Sequence, residues 1–391
     1  MDIKIEKNKI LHILTGKGWY IDNRENANVE LLANRSIKRE LTAVDVLNNP
    51  CIYIMSVCNG TCRYCYQNSH LLKATPNLSF DEIKKFIEWI SKYQDHSLTK
   101  TIELFGGEPL LRKDIREIIL LLKQYGYRIS IATNGTLPIL QDSSFLSIIK
   151  DHVHIRISLD GHTAELHEKY RTPRSFNKIV DNIKILRSAG IDVSVKSIIS
   201  DYNFPFIEDI LYFLRDQLRV EQWNYNVLYK LDTYYENDIV THIDHRDMIE
   251  ELCNKKYEKF LPMFKQTPFT QMLTSVFVRK TKRYRRIYIF LNYDKKIYMN
   301  DQLIDPEYSV GDLDNLDLQF QDFISMYETE RESCKHCYAK DYCYLGNYGE
   351  LYRKDPTLKS EFPTCDILRK SIIFLMSQQI NGINMLKKIY L

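Results

Sequence analysis

Between residues 49 and 235 the chain alternates between two hydrophobic periods. Short runs rich in β-branched and aromatic residues, at 51–57, 101–105, 128–133, 153–158, 192–199 and 222–228, predict strands. Longer stretches with apolar residues at helical spacing separate them, at about 80–93, 112–125, 175–189 and 204–217. Ser79-Phe80-Asp81-Glu82 reads as a capping box opening the first helix, and Gly126 and Gly190 stand where helices close. Strand and helix in regular alternation imply right-handed crossovers and a parallel sheet. Six strands are too few for a closed eight-stranded barrel. The expected fold is therefore α/β, as a partial (β/α)6 TIM-like barrel or an open sheet.

Outside this core the pattern changes. The first 48 residues hold two candidate strands, 9–14 and 28–33, to which no role can be given. Residues 236–286 are helical and charged, and read as a bridge. Ile287 to Met299, centred on Tyr293-Asp294-Lys295, reads as a β-hairpin opening a smaller α+β domain over 287–391, which ends in an amphipathic helix at about 366–388. The expected organisation is thus 1–48, 49–235, 236–286 and 287–391.

Composition narrows the function. Lys and Arg number 54 against 51 Asp and Glu, and the isoelectric point is about 8.2. That balance gives no reason to expect a nucleic-acid partner, whose footprint is an isoelectric point above about 9 and a basic face. The basic tract from Arg279 to Arg286 reads as a solvated face. No apolar run approaches the length of a membrane span, and the N-terminus lacks the apolar core of a signal peptide. The expected compartment is the cytoplasm, where clustered cysteines hold metal or do chemistry more often than they pair.

Nine cysteines are present, and seven fall into two groups. In parallel sheets of this kind active sites lie in the loops after the carboxyl ends of the strands. Cys58-x3-Cys62-x2-Cys65 follows the first strand, Gly106-Gly107-Glu108-Pro109 the second and Thr133-Asn134-Gly135 the third. Ser158-Leu159-Asp160-Gly161 ends the fourth. Motifs distant in sequence are thereby expected on one rim. Three thiolates leave one iron of a 4Fe–4S cube without a protein ligand, open to a substrate or cofactor. A tetrahedral zinc site would need a fourth ligand, for which His70 is the nearby candidate. Gly-Gly-Glu-Pro by itself could be a strand-to-helix turn. Its glycines would let backbone approach a ligand closely, and Glu108 offers an acceptor for an ammonium group.

Cys58-Asn59-Gly60-Thr61-Cys62-Arg63-Tyr64-Cys65 resembles the cluster loop of radical S-adenosylmethionine enzymes. The resemblance extends through Gly106-Gly107-Glu108-Pro109, Ala132-Thr133-Asn134-Gly135 and Ile157-Ser158-Leu159-Asp160-Gly161 to Arg171, over roughly residues 50–230. It implies that Cys58, Cys62 and Cys65 bind a 4Fe–4S cluster. It also implies that Gly106, Gly107 and Glu108 hold the amino group of S-adenosylmethionine, and that Tyr64 meets the adenine. Ser158 would meet the ribose or carboxylate, or serve as a strand-end cap. Arg171 would clamp the carboxylate, or sit on the surface.

The second group is Cys334-x2-Cys337-x5-Cys343, with Cys365 downstream. Four thiolates can close a zinc site or a fully ligated iron–sulfur cluster. Here the pattern resembles a C-terminal SPASM or twitch domain with part of its ligands missing. Asn300 and Asn347 stand where the full form has cysteines. The resemblance implies one auxiliary 4Fe–4S cluster on Cys334, Cys337, Cys343 and Cys365, making two clusters in all. It implies an enzyme that cleaves S-adenosylmethionine reductively and abstracts hydrogen from a substrate, foremost a ribosomally made peptide to be crosslinked, given a thioether or epimerised. An electron donor such as flavodoxin or ferredoxin would serve it. A protein side-chain maturase or a tailoring enzyme for a small molecule such as a haem precursor is the alternative. From another class, a non-enzymatic iron–sulfur or zinc redox sensor would share the cysteines without needing a methionine pocket.

Overall fold

The computed structural model of the chain describes residues 49–65, 77–94, 96, 99–228, 242–277, 289–298, 306–316, 337, 365–377 and 379–390. Within them the chain forms two compact units. One takes the described residues up to 243 together with those from 289 to 316; the other takes 244–277 together with the described residues beyond 328.

The first unit is built on six parallel strands: β1 (Cys51–Met55), β2 (Lys100–Gly106), β3 (Tyr127–Thr133), β4 (Val153–Ser158), β5 (Asp192–Ile199) and β6 (Gln222–Val227). Each pairs with the next in parallel, from Cys51 opposite Glu103 to Ile199 opposite Val227. The connecting helices are α1 (Phe80–Ser91), α2 (Ile115–Gln124), α3 (Ser143–Ile149), α4 (Ala164–Glu168), α5 (Phe176–Ser188) and α6 (Ile207–Tyr212), the last loosening into a π turn at Phe213–Gln217. The expected strands and four longer helices are all there. α3 and α4 were not expected, because helices of seven and five residues show too little periodicity to read.

The Ser79 hydroxyl accepts from the Glu82 N–H at 3.2 Å, and the Glu82 carboxylate accepts from the Ser79 N–H at 2.8 Å, completing the capping box of α1. Gly126 and Gly190 take φ of +77° and +74°, the left-handed values that end a helix.

The two faces of the sheet differ. Ile102 and Leu104, Ile129 and Ile131, Ile155 and Ile157, Val193 and Val195 are buried. The helices bury apolar stripes of their own, such as Ile83, Phe86, Ile87 and Ile90 of α1 and Ile115, Ile118, Ile119 and Leu122 of α2. The alternate strand positions are polar or charged and half-buried: Glu103, Ser130, His154, Arg156, Ser158, Lys196, Asn224 and Asn226. Parallel strands covered on both faces read as continuous apolar runs. These alternate, so one face is reserved for something other than packing. On it Arg156 pairs with Glu103 and lies over the Phe105 ring at 5.6 Å, while His154 meets Ser194 at 2.7 Å and Asp192 at 2.9 Å.

The hairpin expected at 287–299 is present as β7 (Phe290–Leu291) and β8 (Lys296–Tyr298), but it belongs to this sheet. β7 pairs in parallel with β1, and β9 (Gly311–Asp312) pairs with β8, giving the order β6-β5-β4-β3-β2-β1-β7-β8-β9. The physical reason is an aromatic cluster that seals the β1 edge: Cys51, Tyr53, Phe290, Tyr293 and Tyr298, with Phe105 against it.

The second unit is helical among its described residues: α7 (His245–Leu252), a 3-10 stretch at Lys255–Phe264, α8 (Pro268–Phe277), α9 (Cys365–Ser377) and α10 (Gln379–Tyr390). α7 packs on α9, and α8 on α9 and α10. A Cβ at Gly382 would fall 2.0 Å from the Phe277 ring, so glycine permits that crossing. The stretch expected as a bridge thus shares a compact unit with the C-terminal helices. The single helix expected at 366–388 is two helices. The candidate strands 9–14 and 28–33 lie outside the described residues. No described helix is long and apolar enough to cross a membrane.

Candidate metal and cofactor site

The loop after β1 carries Cys58, Cys62 and Cys65, and the neighbouring strand-end loops hold it in place. Thr61 N–H donates to the Thr172 hydroxyl at 2.9 Å, and Arg63 N–H donates to the Tyr170 carbonyl at 2.8 Å. From the loop after β3, Asn134 Nδ2 donates to Asn59 Oδ1 at 2.7 Å, and Asn59 Nδ2 donates to the Thr136 hydroxyl at 3.0 Å. The sulfurs receive contacts of their own. Gly60 N–H lies 3.2 Å and Asn134 Nδ2 3.9 Å from Cys58 Sγ, and the Thr172 hydroxyl lies 3.9 Å from Cys62 Sγ.

Gly106 and Gly107, expected from their motif to let backbone approach a ligand closely, approach the protein's own backbone closely. A Cβ on Gly106 would sit 2.4 Å from the Met55 carbonyl oxygen, and one on Gly107 2.3 Å from that of Val57. Gly107 N–H donates to Met55 O at 2.7 Å and Glu108 N–H to Val57 O at 2.9 Å. These residues weld the end of β2 to the backbone that leads into Cys58.

Glu108 is likewise turned inward. Its side chain is fully buried, and it caps the 3-10 turn Pro109–Leu111. Leu110 N–H and the Thr133 hydroxyl donate to Oε1 at 3.1 and 2.8 Å, and Asn134 N–H donates to Oε2 at 2.7 Å. Burial pushes its carboxyl up to about 7, against the pull of these three donors. The carboxylate expected to meet a ligand ammonium straps together the loops after β2 and β3.

Asp160 is the residue that the sequence reading left without a role. It is 4% exposed and collects four donors. Arg171 Nε and Nη2 approach at 2.6 and 3.1 Å, Ile198 N–H at 2.8 Å, and the Tyr64 hydroxyl completes the set. The Arg171 guanidinium lies 5.3 Å over the Tyr64 ring. Its fork, expected to grip a cofactor carboxylate, is thus taken on one side by Asp160, leaving the Nη1 edge. The Asp160 carboxylate holds the guanidinium well above its ordinary range, so the charge on Arg171 is permanent. Burial pushes the Tyr64 phenol well above its ordinary value, and the ring packs with Leu228, Tyr170 and Ile198.

Below Asp160 a second layer fixes the loop. His167 Nδ1 accepts from Asp160 N–H at 3.1 Å, which leaves the proton on Nε2 facing Ser175 at 3.2 Å. Burial lowers His167 to about 4, so the ring stays neutral. The Ser158 hydroxyl, half-buried at the end of β4, has no hydrogen bond among the described residues.

The donor set fits an iron–sulfur group. Burial pushes the Cys58 thiol up to about 12, and the charges of Glu108, Cys62 and Cys65 oppose its ionisation further. Among the described residues no three His, Cys, Asp or Glu side chains are already gathered as metal ligands; the positive charge of a bound group would favour the thiolate form that cluster ligands take. Of the second group, Cys337 and Cys365 are half-buried, Cys365 opening α9. Cys334 and Cys343 lie outside the described residues, as do Asn300 and Asn347.

Fold and site together define an α/β protein that gathers a three-cysteine loop at the carboxyl rim of a partial parallel barrel. Residues 52–210 match the Radical SAM superfamily, and this part of the chain is a radical S-adenosylmethionine domain. Among curated relatives, the AdoMet-dependent heme synthase of Oleidesulfovibrio alaskensis is 29% identical over 169 residues, covering 43% of this chain and 42% of that protein. The subtilosin biosynthesis protein AlbA of Bacillus subtilis is 27% identical over 219 residues, covering 54% and 48%. The matched region thus spans less than half the length of either relative. Among solved structures, anSMEcpe with bound AdoMet and Kp18Cys peptide superposes with a TM-score of 0.67 at 15% identity, over 87% of this chain and 99% of that one.

Proposed function

We propose that this protein is a radical S-adenosylmethionine enzyme that modifies a ribosomally made peptide. The observation that carries the reading is the loop of Cys58, Cys62 and Cys65, pinned at one rim by hydrogen bonds with the loops after β3 and β4. A 4Fe–4S cluster held by these cysteines would supply the one-electron reduction that cleaves S-adenosylmethionine to a hydrogen-abstracting 5′-deoxyadenosyl radical.

The chain's own residues bind and orient. Cys58, Cys62 and Cys65 hold the first cluster. Ser158 offers its unpartnered hydroxyl and Arg171 its Nη1 edge to the polar end of the cofactor, and Tyr64 borders the adenine. Gly106, Gly107 and Glu108 shape the amino-group side through the backbone they fix. The polar face of the sheet, with Glu103, Arg156 and Lys196, receives the substrate. Cys334, Cys337, Cys343 and Cys365 hold an auxiliary cluster, and a flavodoxin or ferredoxin in the cytoplasm supplies electrons.

Two likenesses support a peptide substrate: AlbA takes its name from bacteriocin biosynthesis, and the anSMEcpe structure holds a peptide. The heme synthase relative keeps a small-molecule substrate as the second reading. The test is anaerobic reconstitution followed by reduction. About eight irons per chain and release of 5′-deoxyadenosine are expected. About four irons with one zinc would remove the auxiliary cluster, and no 5′-deoxyadenosine would remove the enzyme reading.

A further inference from the structure

Asn134 sits at the centre of a closed hydrogen-bond ring that determines which way its amide points. Its Oδ1 accepts from Thr136 N–H at 3.0 Å and from the Thr136 hydroxyl at 2.7 Å. The Thr136 hydroxyl, having donated its one proton there, accepts from Asn59 Nδ2 at 3.0 Å. Asn59 Oδ1 in turn accepts from Asn134 Nδ2 at 2.7 Å. Every donor in the ring meets an acceptor, and reversing the Asn134 amide would set its NH2 group against two donors. Its second Nδ2 proton is left for Cys58 Sγ, 3.9 Å away.

A parallel arrangement stands at Cys62. The Thr172 oxygen already accepts from Thr61 N–H at 2.9 Å, so its own proton is available to Cys62 Sγ at 3.9 Å. The backbone of Asn134 is anchored separately, through its N–H to Glu108 at 2.7 Å. Asn134 is therefore held by one loop and aimed at another.

We propose that Asn134 and Thr172 are positioning residues that donate hydrogen bonds to the Cys58 and Cys62 sulfurs and thereby raise the reduction potential of the cluster bound to them. This inference rests on the reading of Cys58, Cys62 and Cys65 as cluster ligands. The reasoning is electrostatic. A reduced cluster carries one more negative charge, partly on the thiolate sulfurs, so a proton directed at sulfur stabilises the reduced form more than the oxidised one. Both donors address the ligand sulfurs, so they would tune the group without serving as ligands themselves.

The experiment is a redox titration of reconstituted protein, followed by electron paramagnetic resonance of the reduced cluster. Asn134→Asp keeps both bonds from Thr136 and loses the donors. Thr172→Val keeps the shape and loses the hydroxyl, and Thr172→Ser restores it. Iron content should stay at the wild-type level in all three variants. Asn134→Asp and Thr172→Val should each shift the one-electron reduction equilibrium at least about tenfold toward the oxidised form, 59 mV for one electron. Thr172→Ser should return it to the wild-type value.

Potentials unchanged in both Asn134→Asp and Thr172→Val, with iron retained, would overturn the proposal. So would loss of iron in the Asn134 variant together with an unshifted Thr172→Val, which would make both residues mere loop staples. Wild-type protein that binds no cluster at Cys58, Cys62 and Cys65 fails at the iron assay, before any potential is read. That result refutes the underlying reading rather than the donors.

Discussion

Glu108 offers the sharpest test of the rim, because its burial and its bonds make opposite demands. The perturbation is Glu108→Gln, nearly the same shape without the charge. The structure gives the size of the effect. Glutamine can still accept through its oxygen, but its NH2 group must face either Asn134 N–H or the pair Leu110 N–H and Thr133 hydroxyl, all donors. At least one bond to a charged acceptor is lost, which costs about 1.5–3 kcal/mol at neutral pH. Against this stands the wild type's own penalty for keeping a charge in the interior. The carboxyl lies at about 7 in the folded chain and 4.5 as the ordinary value. Below the ordinary value both states are protonated and nothing changes. Between the two values the folded state binds more protons, so stability falls as pH rises. The gap of about 2.5 units at 1.36 kcal/mol each gives about 3 kcal/mol lost by the time pH passes 7. The wild type should therefore lose stability as pH rises from 5 to 8, and the variant, with no charge to acquire there, should not. The assay is denaturant unfolding of the metal-free protein across pH 5–8 at fixed ionic strength. A variant that keeps the wild-type pH slope would refute the assignment of that slope to Glu108, and with it the buried strap.

Other predictions follow from the same geometry. Gly107→Ala puts a methyl group against the Val57 carbonyl at 2.3 Å, and should cost at least the upper end of the about 1–3 kcal/mol of overpacking, read as a fall in melting temperature. Arg171→Lys replaces a fork by a point charge facing Asp160, so one charge-assisted bond goes at a cost of about 1.5–3 kcal/mol. Its affinity for S-adenosylmethionine should also drop, measured by calorimetry; an unchanged melting temperature would show the pair to be dispensable. Replacing Cys58, Cys62 and Cys65 together with Ala should lower the iron count from about eight to about four. Cys343→Ala should cleave S-adenosylmethionine yet yield no product, and unchanged product from soluble protein would deny the auxiliary site any essential role.

The strands of the barrel were legible because their period is local: Ile129-Ser130-Ile131 declares both a strand and its buried side. The partner of the hairpin was not, since Phe290 and Cys51 are 239 residues apart and no local period records a pairing across that distance. The rim motifs were legible as residues but not as bonds. A glutamate after a strand can face a ligand or the next loop, and only the neighbouring N–H groups of Leu110 and Asn134 decide it. Asp160 is visible in the sequence as part of its motif but not as a hub. The signal that could have found it is the acid–arginine pair formed with Arg171 eleven residues on, beside a tyrosine in the cysteine loop. Asn134 was likewise visible without its purpose, which depends on Thr136 and Asn59 turning its amide.

The alternation along the central strands has a bearing on how the protein can change. One set of positions, Ile129, Ile131, Ile155 and Ile157 among them, is fully enclosed, and replacing any of these removes packing that the helices depend on. The interleaved set, including Ser130, Arg156, Ser158 and Lys196, is only half enclosed and bears little of that burden. On the proposed reading, residues facing a substrate and residues that hold the scaffold therefore occupy alternate places on the same strands. Such a sheet can acquire a new specificity one neighbour at a time, each step leaving the enclosed layer untouched.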